Sequence, residues 1–210
     1  MEEKKITEDG LLLPNLQKME IYSCEDMKIL PAWLPRLLLL KELIIIDCPK
    51  FRSWGMEEEE IIEDGLPLPN LQYMEIDSCQ DLETLPAWLP RLPLLNELTI
   101  RLCHKFRSWC TEAEEVITEY GFPLPNLQKM EIDCCEDLET LPAWLPRLPL
   151  LNQLIIKACP KIQSLPQGNL PSSLKKLYLI QCERSLTERC RQGGSLEWQM
   201  IQHIPHRLYI

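Results

Sequence analysis

The sequence predicts an α/β solenoid built on parallel strands, and three observations support this prediction. The segment from Leu124 to Cys159 occurs twice more, at Leu13 to Cys48 and at Leu68 to Cys103, with few changes. Each copy holds two shorter units of the form L-x-x-L-x-x-L/M-x-I-x-x-C. The closely spaced L-x-I pair needs the two-residue alternation of a strand, because these offsets cannot form one face of a helix.

This spacing is that of the leucine-rich repeat, which ends in Asn or Cys at the turn after the strand. We therefore expect a horseshoe with parallel strands on its concave face, mostly irregular convex returns and few short helices. One domain spans 1–210 with about seven repeats, arranged in three near-identical two-repeat blocks at 11–65, 66–121 and 122–169. Residues 183–210 leave the pattern and are predicted to form a C-terminal cap with a polar turn at Gly193 and Gly194.

Each predicted strand is centred on the L-x-I pair of its unit. The seven centres are Met19–Ile21, Leu43–Ile45, Met74–Ile76, Leu98–Ile100, Met130–Ile132, Leu154–Ile156 and Leu177–Leu179. After each odd strand except the last comes a return segment such as 85–90, whose two prolines exclude a regular helix. Trp33, Trp88 and Trp144 share one position of this segment, and we expect them to pack on the convex side rather than to form a binding cage.

The even units are followed by longer connections, at 50–67 and 105–123. Thr111 and Glu114 have the spacing of a capping box, and Gly121 would end the helix. Short helices are predicted at 111–120 and at 56–64. The glutamate run 57–60 is interpreted as a solvated face rather than as a site for a basic partner.

Seven of the ten cysteines occupy the last position of the repeat, namely Cys24, Cys48, Cys79, Cys103, Cys135, Cys159 and Cys182. A small thiol in a turn packs against its neighbours and caps backbone groups through S–H. This interpretation implies a reducing compartment. A zinc site in the tail, from Cys182, Cys190, His203 and His206, is disfavoured because both gaps miss the usual ligand spacing.

Composition excludes several classes of function. The net charge of −10 disfavours nucleic acid and anionic membranes as partners. No apolar run approaches the ~20 residues of a membrane span, and the acidic start lacks the apolar region of a secretion signal, so we expect a cytoplasmic protein. We expect no enzyme and no cofactor, because no histidine recurs with a cysteine as a nucleophile and base would.

A resemblance to a family rests on the Cys-Pro pairs at 48–49 and 159–160, the segment LPSSLKKLYLIQC, and a tail with Leu186–Cys190, Trp198 and Ile201–Pro205. These features resemble the C-terminal repeat region of plant intracellular nucleotide-binding leucine-rich-repeat disease-resistance proteins of the coiled-coil class. The resemblance implies recognition of a pathogen protein or a guarded host protein. It also implies restraint of a nucleotide-binding switch domain, located upstream or acting in trans.

The sequence contains no G-x-x-x-x-G-K-[ST] phosphate loop, and residues 1–10 copy the internal connections at 56–65 and 112–121. The expectation is therefore a truncated receptor without a nucleotide-binding domain. Two alternatives stay open at this point. One is a stand-alone leucine-rich-repeat scaffold or inhibitor, and the other is a receptor fragment without function.

The protein ligand is predicted to bind the concave, open sheet face. Its candidate residues are Glu20, Tyr22, Ile44, Ile46, Glu75, Asp77, Thr99, Arg101, Glu131, Asp133, Ile155, Lys157, Tyr178 and Ile180. Between 66–103 and 122–159 only eight of 38 positions differ, and six of them (73, 78, 97, 99, 101 and 102) fall on or beside the strands. The returns barely differ, so simple tolerance of exposed positions explains the pattern less well than binding does. Exposed Ile44, Ile46 and Ile155 near Tyr178 would add apolar contact area.

Overall fold

The fold is a stack of parallel strands with short irregular returns, seen in a computed structural model that describes residues 13, 15–31, 33–55, 66–109 and 122–210. The strands form one eight-stranded sheet in sequence order, β1 to β8. The predicted α/β leucine-rich-repeat solenoid is confirmed. The two helices predicted at 56–64 and 111–120, with their capping box, lie outside the described residues.

The strands of the repeats are five residues long and in register. They are β1 (Lys18–Tyr22), β2 (Glu42–Ile46), β3 (Tyr73–Asp77), β4 (Glu97–Arg101), β5 (Lys129–Asp133), β6 (Gln153–Lys157) and β7 (Lys176–Ile180). Every neighbouring pair is parallel, so equivalent residues of successive repeats lie side by side across the sheet. Each predicted strand centre lies in its strand.

The eighth strand, β8 (His206–Tyr209), was not predicted. It pairs in parallel with β7, where the His206 N–H donates to the Lys175 carbonyl at 3.1 Å and the Ile210 N–H donates to the Leu179 carbonyl at 3.0 Å. Its sequence, HRLY, lacks the apolar pair of the repeat. The unpaired backbone groups at the edge of β7 hydrogen-bond to this segment, and the pattern of apolar residues in the segment does not indicate a strand.

The core lies on one side of the sheet, where the two apolar residues of each strand point. From β2 to β7 these side chains are fully buried, as at Leu98 and Ile100 of β4. From β2 to β7 the leucines that precede the strand, such as Leu95 and Leu127, turn inward and are also buried. One continuous cluster therefore runs from the first return to the C-terminal segment.

The returns after β1, β3 and β5 contain short 3-10 helices at Leu34–Arg36, Leu89–Arg91 and Leu145–Arg147. A proline in the first turn of each is tolerated there because its missing N–H would have no partner in the helix. Trp88 and Trp144 precede these turns and are buried. As predicted, these two tryptophans pack into the convex side.

The partners of these indoles come from the even repeats. Trp54 lies edge-on against Trp88 with ring centroids 5.8 Å apart, and Trp109 does the same to Trp144. Phe51 in turn contacts Trp54 at 5.2 Å. The Trp54 indole N–H donates to the Thr84 carbonyl at 3.3 Å. These aromatic contacts join successive blocks, and sequence spacing alone did not reveal them.

The segment after β7 forms two helices, α1 (Arg184–Arg191) and α2 (Leu196–Ile201). The Glu183 carboxylate accepts the Leu186 N–H at 3.0 Å, and the Ser195 hydroxyl accepts the Trp198 N–H at 3.0 Å. Both are N-cap bonds, which satisfy donors that the first helical turn leaves free. No helix among the described residues is both long and apolar enough to cross a membrane.

Candidate functional site: the open face of the sheet

The side of the sheet opposite the core, called the open face here, carries three rows of side chains because the strands are in register. The first row is Lys18, Glu42, Tyr73, Glu97, Lys129, Gln153, Lys176 and His206. The middle row is Glu20, Ile44, Glu75, Thr99, Glu131, Ile155, Tyr178 and Leu208. The third row is Tyr22, Ile46, Asp77, Arg101, Asp133, Lys157 and Ile180, and Ile210 extends it beside β7.

The predicted site residues are the middle and third rows, and they differ in accessibility. Thr99, Glu131, Ile155 and Ile44 are buried, with 1%, 5%, 6% and 8% of their surface exposed. The expectation that Ile44 and Ile155 are exposed is therefore wrong. Strands only ~4.8 Å apart place the longer first-row and third-row side chains over the middle row.

The centre of the open face holds a chain of alternating charges. Arg101 contacts Glu75 at 3.1 Å through one guanidinium nitrogen and Glu131 at 3.2 Å through the other. Lys157 reaches Glu131 at 3.2 Å, and the Tyr73 hydroxyl donates to Glu75 at 2.6 Å. The cations remain about a third exposed while the Glu131 side chain is 7% exposed. A partner would therefore meet the cations before the middle-row carboxylates.

The ionisation states follow from these contacts. Burial acts to raise the pKa of the Glu131 carboxyl, but the hydrogen bond from Lys157 and the charge of Arg101 outweigh it and lower the pKa. Burial, and then the hydrogen bond to Glu75, raise the pKa of Tyr73. Glu131 is thus ionised and Tyr73 neutral near pH 7, and the network holds its charge pattern.

At both ends of the open face the third row is apolar. Tyr22 is 50% exposed beside the half-buried Ile46 at one end, and Leu208 is 41% exposed near Tyr178 and Ile180 at the other. A charged centre between two apolar ends offers anchors to a protein partner and polar contacts that set its register.

The first row was not among the predicted site residues. Tyr73 and Glu97 belong to it, and both differ between the second and third blocks. Strand alternation was the signal that could have identified this row, because a residue two positions before an open position shares its face. The open face is therefore wider than the sequence analysis predicted.

The bend after each repeat strand orients the third row. The residue after the strand has a positive φ in all seven repeats, at Ser23, Asp47, Ser78, Leu102, Cys134, Ala158 and Gln181. The next residue is the repeat cysteine, whose S–H donates to the carbonyl of the third-row residue, at 3.2 Å for Cys103 and 3.1 Å for Cys159. The predicted capping by these thiols is confirmed.

Two of the buried thiols, Cys48 and Cys190, have little nucleophilic character. Burial raises the pKa of Cys48 and of Cys190 to about 11, which keeps both protonated at neutral pH. All cysteines in the described part of the chain are free thiols. Among the same residues no group of three or more His, Cys, Asp or Glu side chains is placed to hold a metal ion, and a His203 ring nitrogen lies 3.1 Å from the Pro171 carbonyl oxygen instead.

The repeats, the in-register parallel sheet and its open face define the class of protein: the chain is a leucine-rich-repeat solenoid. The leucine-rich-repeat domain of the type III effector XCV3220 (XopL) has the same fold, with a TM-score of 0.61 and 20% sequence identity, over 96% of this chain and 71% of that one. No family model matches the chain.

The relatives of the chain are plant disease resistance proteins. The probable disease resistance proteins RF45 and RDL5 of Arabidopsis thaliana are each 29% identical over 196 residues, which cover 91% of this chain and 17% of each relative. Disease resistance protein RPS4B of the same plant is 26% identical over 153 residues, 67% of this chain and 13% of that protein. The chain thus spans between about an eighth and a sixth of the length of these relatives. The resemblance to plant disease resistance proteins that was inferred from the sequence is confirmed.

Proposed function

We propose that this chain recognises a pathogen protein or a guarded host protein through the open face of its sheet, in the cytoplasm and without catalysis. The observation that carries the proposal is where the blocks differ. Tyr73, Glu97, Thr99 and Arg101, four of the eight positions that differ between the second and third blocks, lie on the open face. Ser78 and Leu102 lie in the bends beside it.

The inward residues of the same strands support the proposal by contrast. Met74, Ile76, Leu98 and Ile100 are identical in the corresponding strands of the third block and fully buried. Packing therefore accounts for the positions that stay the same, and a bound partner accounts for the variation at the partly exposed positions Tyr73, Glu97 and Arg101. Restraint of a nucleotide-binding switch domain, upstream or in trans, is part of the same proposal.

The test is capture of protein from leaf extract on the immobilised chain. Reversing all the central acids is a poor variant, because Glu75 and Glu131 are ion-paired and little exposed. Ile180→Asp is better: it places a charge on the accessible third row near the apolar end. Leu150→Asp is the matched control, since Leu150 is 47% exposed and precedes β6 rather than lying in a strand.

We expect a protein that binds the wild type and Leu150→Asp equally and is lost with Ile180→Asp, while circular dichroism stays unchanged in both variants. Identification of that protein by mass spectrometry separates a defence receptor from a general scaffold. Equal capture by all three proteins, or capture of chaperones alone, would contradict recognition through the open face.

A further inference from the structure

Acidic side chains are distributed unevenly along the open face. Each of the strands β1 to β5 carries at least one carboxylate there, and these are Glu20, Glu42, Glu75, Asp77, Glu97, Glu131 and Asp133. The strands β6, β7 and β8 contain no Asp or Glu. The last three strands therefore form an end without acidic side chains on a chain whose net charge is −10.

Lys176 distinguishes this end from the rest of the open face. It is exposed on β7, and its ammonium group makes no hydrogen bond or ion pair within the part of the chain that the structure describes. Its neighbour across the sheet is His206 of β8, which is also exposed. The other Lys and Arg side chains of the face each lie within 3.6 Å of a carboxylate, and they are Lys18, Arg101, Lys129 and Lys157. Lys176 thus offers a partner a positive charge that is not already paired.

Apolar side chains lie directly beside Lys176. Tyr178 and Ile180 follow it on β7 at steps of two residues, so all three share the open face. Leu208 of β8 pairs with Tyr178 across the sheet and is 41% exposed. We call Lys176, Tyr178, Ile180, His206 and Leu208 the β7–β8 patch. The patch combines an unpaired cation with three neighbouring apolar or aromatic side chains.

A partner that covers the apolar part of the β7–β8 patch also covers Lys176. Two residues along a strand span only ~6.6 Å, so contact with Tyr178 brings the partner over the ammonium group. Covering a charge without a counter-ion costs free energy, and β6 to β8 have no carboxylate side chain that could supply one. The counter-ion therefore has to come from the partner. A basic segment is disfavoured for the same reason, because no acidic side chain of these strands could receive it.

The surroundings of the patch limit the kind of anion that fits. Glu131 and Asp133 lie on β5, two strands from β7, and the chain as a whole is strongly acidic, so a polyanion such as nucleic acid or an anionic membrane is repelled. A single carboxylate beside a large apolar side chain satisfies Lys176 and covers Tyr178. In an extended segment, residues two apart lie on the same side at ~6.6 Å, which is the spacing of Lys176 and Tyr178 along β7.

We propose that the β7–β8 patch binds an extended segment of a partner protein in which an Asp or Glu lies two residues from a large apolar residue. The carboxylate pairs with Lys176, and the apolar side chain contacts Tyr178 and Leu208. This inference rests on the proposed function, because it specifies the chemistry of the ligand that the open face recognises. It assigns the contact to one end of the face rather than to the ion-paired centre.

The test is selection from a displayed library of random peptides on the immobilised full chain. We expect the enriched peptides to share an Asp or Glu two residues from a Leu, Ile, Phe, Tyr or Trp. Lys176→Glu should instead enrich Lys or Arg at the acidic position, and should bind the wild-type peptides about 10-fold more weakly. Leu208→Asp should lose the apolar preference. Lys28→Glu, an exposed position in the return after β1, changes the net charge by the same amount and should select the wild-type pattern.

Three results would each overturn the proposal: no shared pattern among the peptides bound by the wild type, a pattern without an acid, or the same acidic pattern on Lys176→Glu. Circular dichroism of each variant should match the wild type. A leaf protein that is lost with Ile180→Asp but retained at full affinity by Lys176→Glu would refute the carboxylate ligand and leave the proposed function intact. Selection of the acidic pattern without capture of any leaf protein would contradict the proposed function alone.

Discussion

The two sides of one sheet, built from the same five-residue strands, follow different rules. On the inner side of β5, Met130 and Ile132 are fully buried and match their counterparts in β3. On the outer side, Lys129 stands where β3 has Tyr73. The inner side chains pack the repeats together and stay the same, whereas the outer side chains differ in charge and polarity from one repeat to the next.

Glu131 is the exception that sharpens the comparison. It lies on the outer side but is 5% exposed and is held by two cations from neighbouring strands. On the outer side, therefore, the middle row is largely covered and contributes to stability, whereas the first and third rows are accessible to a partner. Exposure of an individual residue, rather than its side of the sheet, decides its role.

The largest effect is expected from truncation on the inner side. Ile132→Ala should lower the free energy of unfolding by about 2–5 kcal/mol, because it removes buried methyl groups and leaves a cavity. Asp133→Ala, one residue further on and 26% exposed in its side chain, should change it by no more than about 0.5 kcal/mol. Urea denaturation measures both, and equal losses would remove the distinction between the two sides.

Truncation of the buried acid should come next. Glu131→Ala should cost about 2 kcal/mol, because Arg101 and Lys157 then face each other without the carboxylate between them. Glu20→Ala in the same row of β1, where the side chain is 38% exposed, should cost about 0.5 kcal/mol or less. If both variants unfold at the same urea concentration, the middle row is not structural.

A third test uses alkaline pH. The pKa of Cys48 is raised to about 11 by burial, so between about pH 8.5 and pH 11 the unfolded chain loses this proton while the folded chain keeps it. The unfolded state then binds fewer protons, and stability falls with rising pH by up to about 1.4 kcal/mol per pH unit for this thiol. Urea titrations from pH 7.5 to pH 10 should show a shallower decline in Cys48→Ala. Identical slopes would mean that this thiol is not buried.

The smallest effect concerns the bend after β4. Leu102 has a φ of 51° and is 42% exposed, so it carries the strain of a left-handed residue with little burial in return. Leu102→Gly should raise stability by about 0.5 kcal/mol, because relief of the strain exceeds the added chain entropy. Leu94→Gly, at 37% exposure and without a positive φ, should lower it. A loss of stability at both positions would show that the bend is not strained.

Much of the fold could be predicted because the buried positions recur at the same spacing in every repeat. The spacing that ends in Cys103 or Cys159 fixes a strand, an inward leucine and a turn, and each recurs in the structure. The edge strand β8 could not be predicted in this way. Its position depends on an open sheet edge, which is a property of the assembled stack rather than of residues 206–209.

The sequence could predict which residues lie on the open face of the sheet, but not how exposed each of them is. Alternation along a strand places Thr99 and Arg101 on the same side, yet only the lengths of neighbouring side chains decide that Thr99 is 1% exposed. The pairing of Arg101 with Glu75 and Glu131 likewise depends on the register between strands whose paired residues are 24 residues apart (Tyr73 and Glu97) and 32 residues apart (Glu97 and Lys129) in sequence. The left-handed bends occur at residues as different as Leu102 and Ala158, so they carry no residue signature.

The repeat cysteines, most of which are buried, can also report the order in which the repeats open. Each repeat contributes one thiol in chain order, from Cys24 to Cys182. An alkylating reagent reacts with a thiol only when it is exposed, and local opening exposes the parts of a fold at different rates. Timed alkylation followed by mass spectrometry of each peptide would therefore record the order in which the layers separate, with no label introduced into the chain.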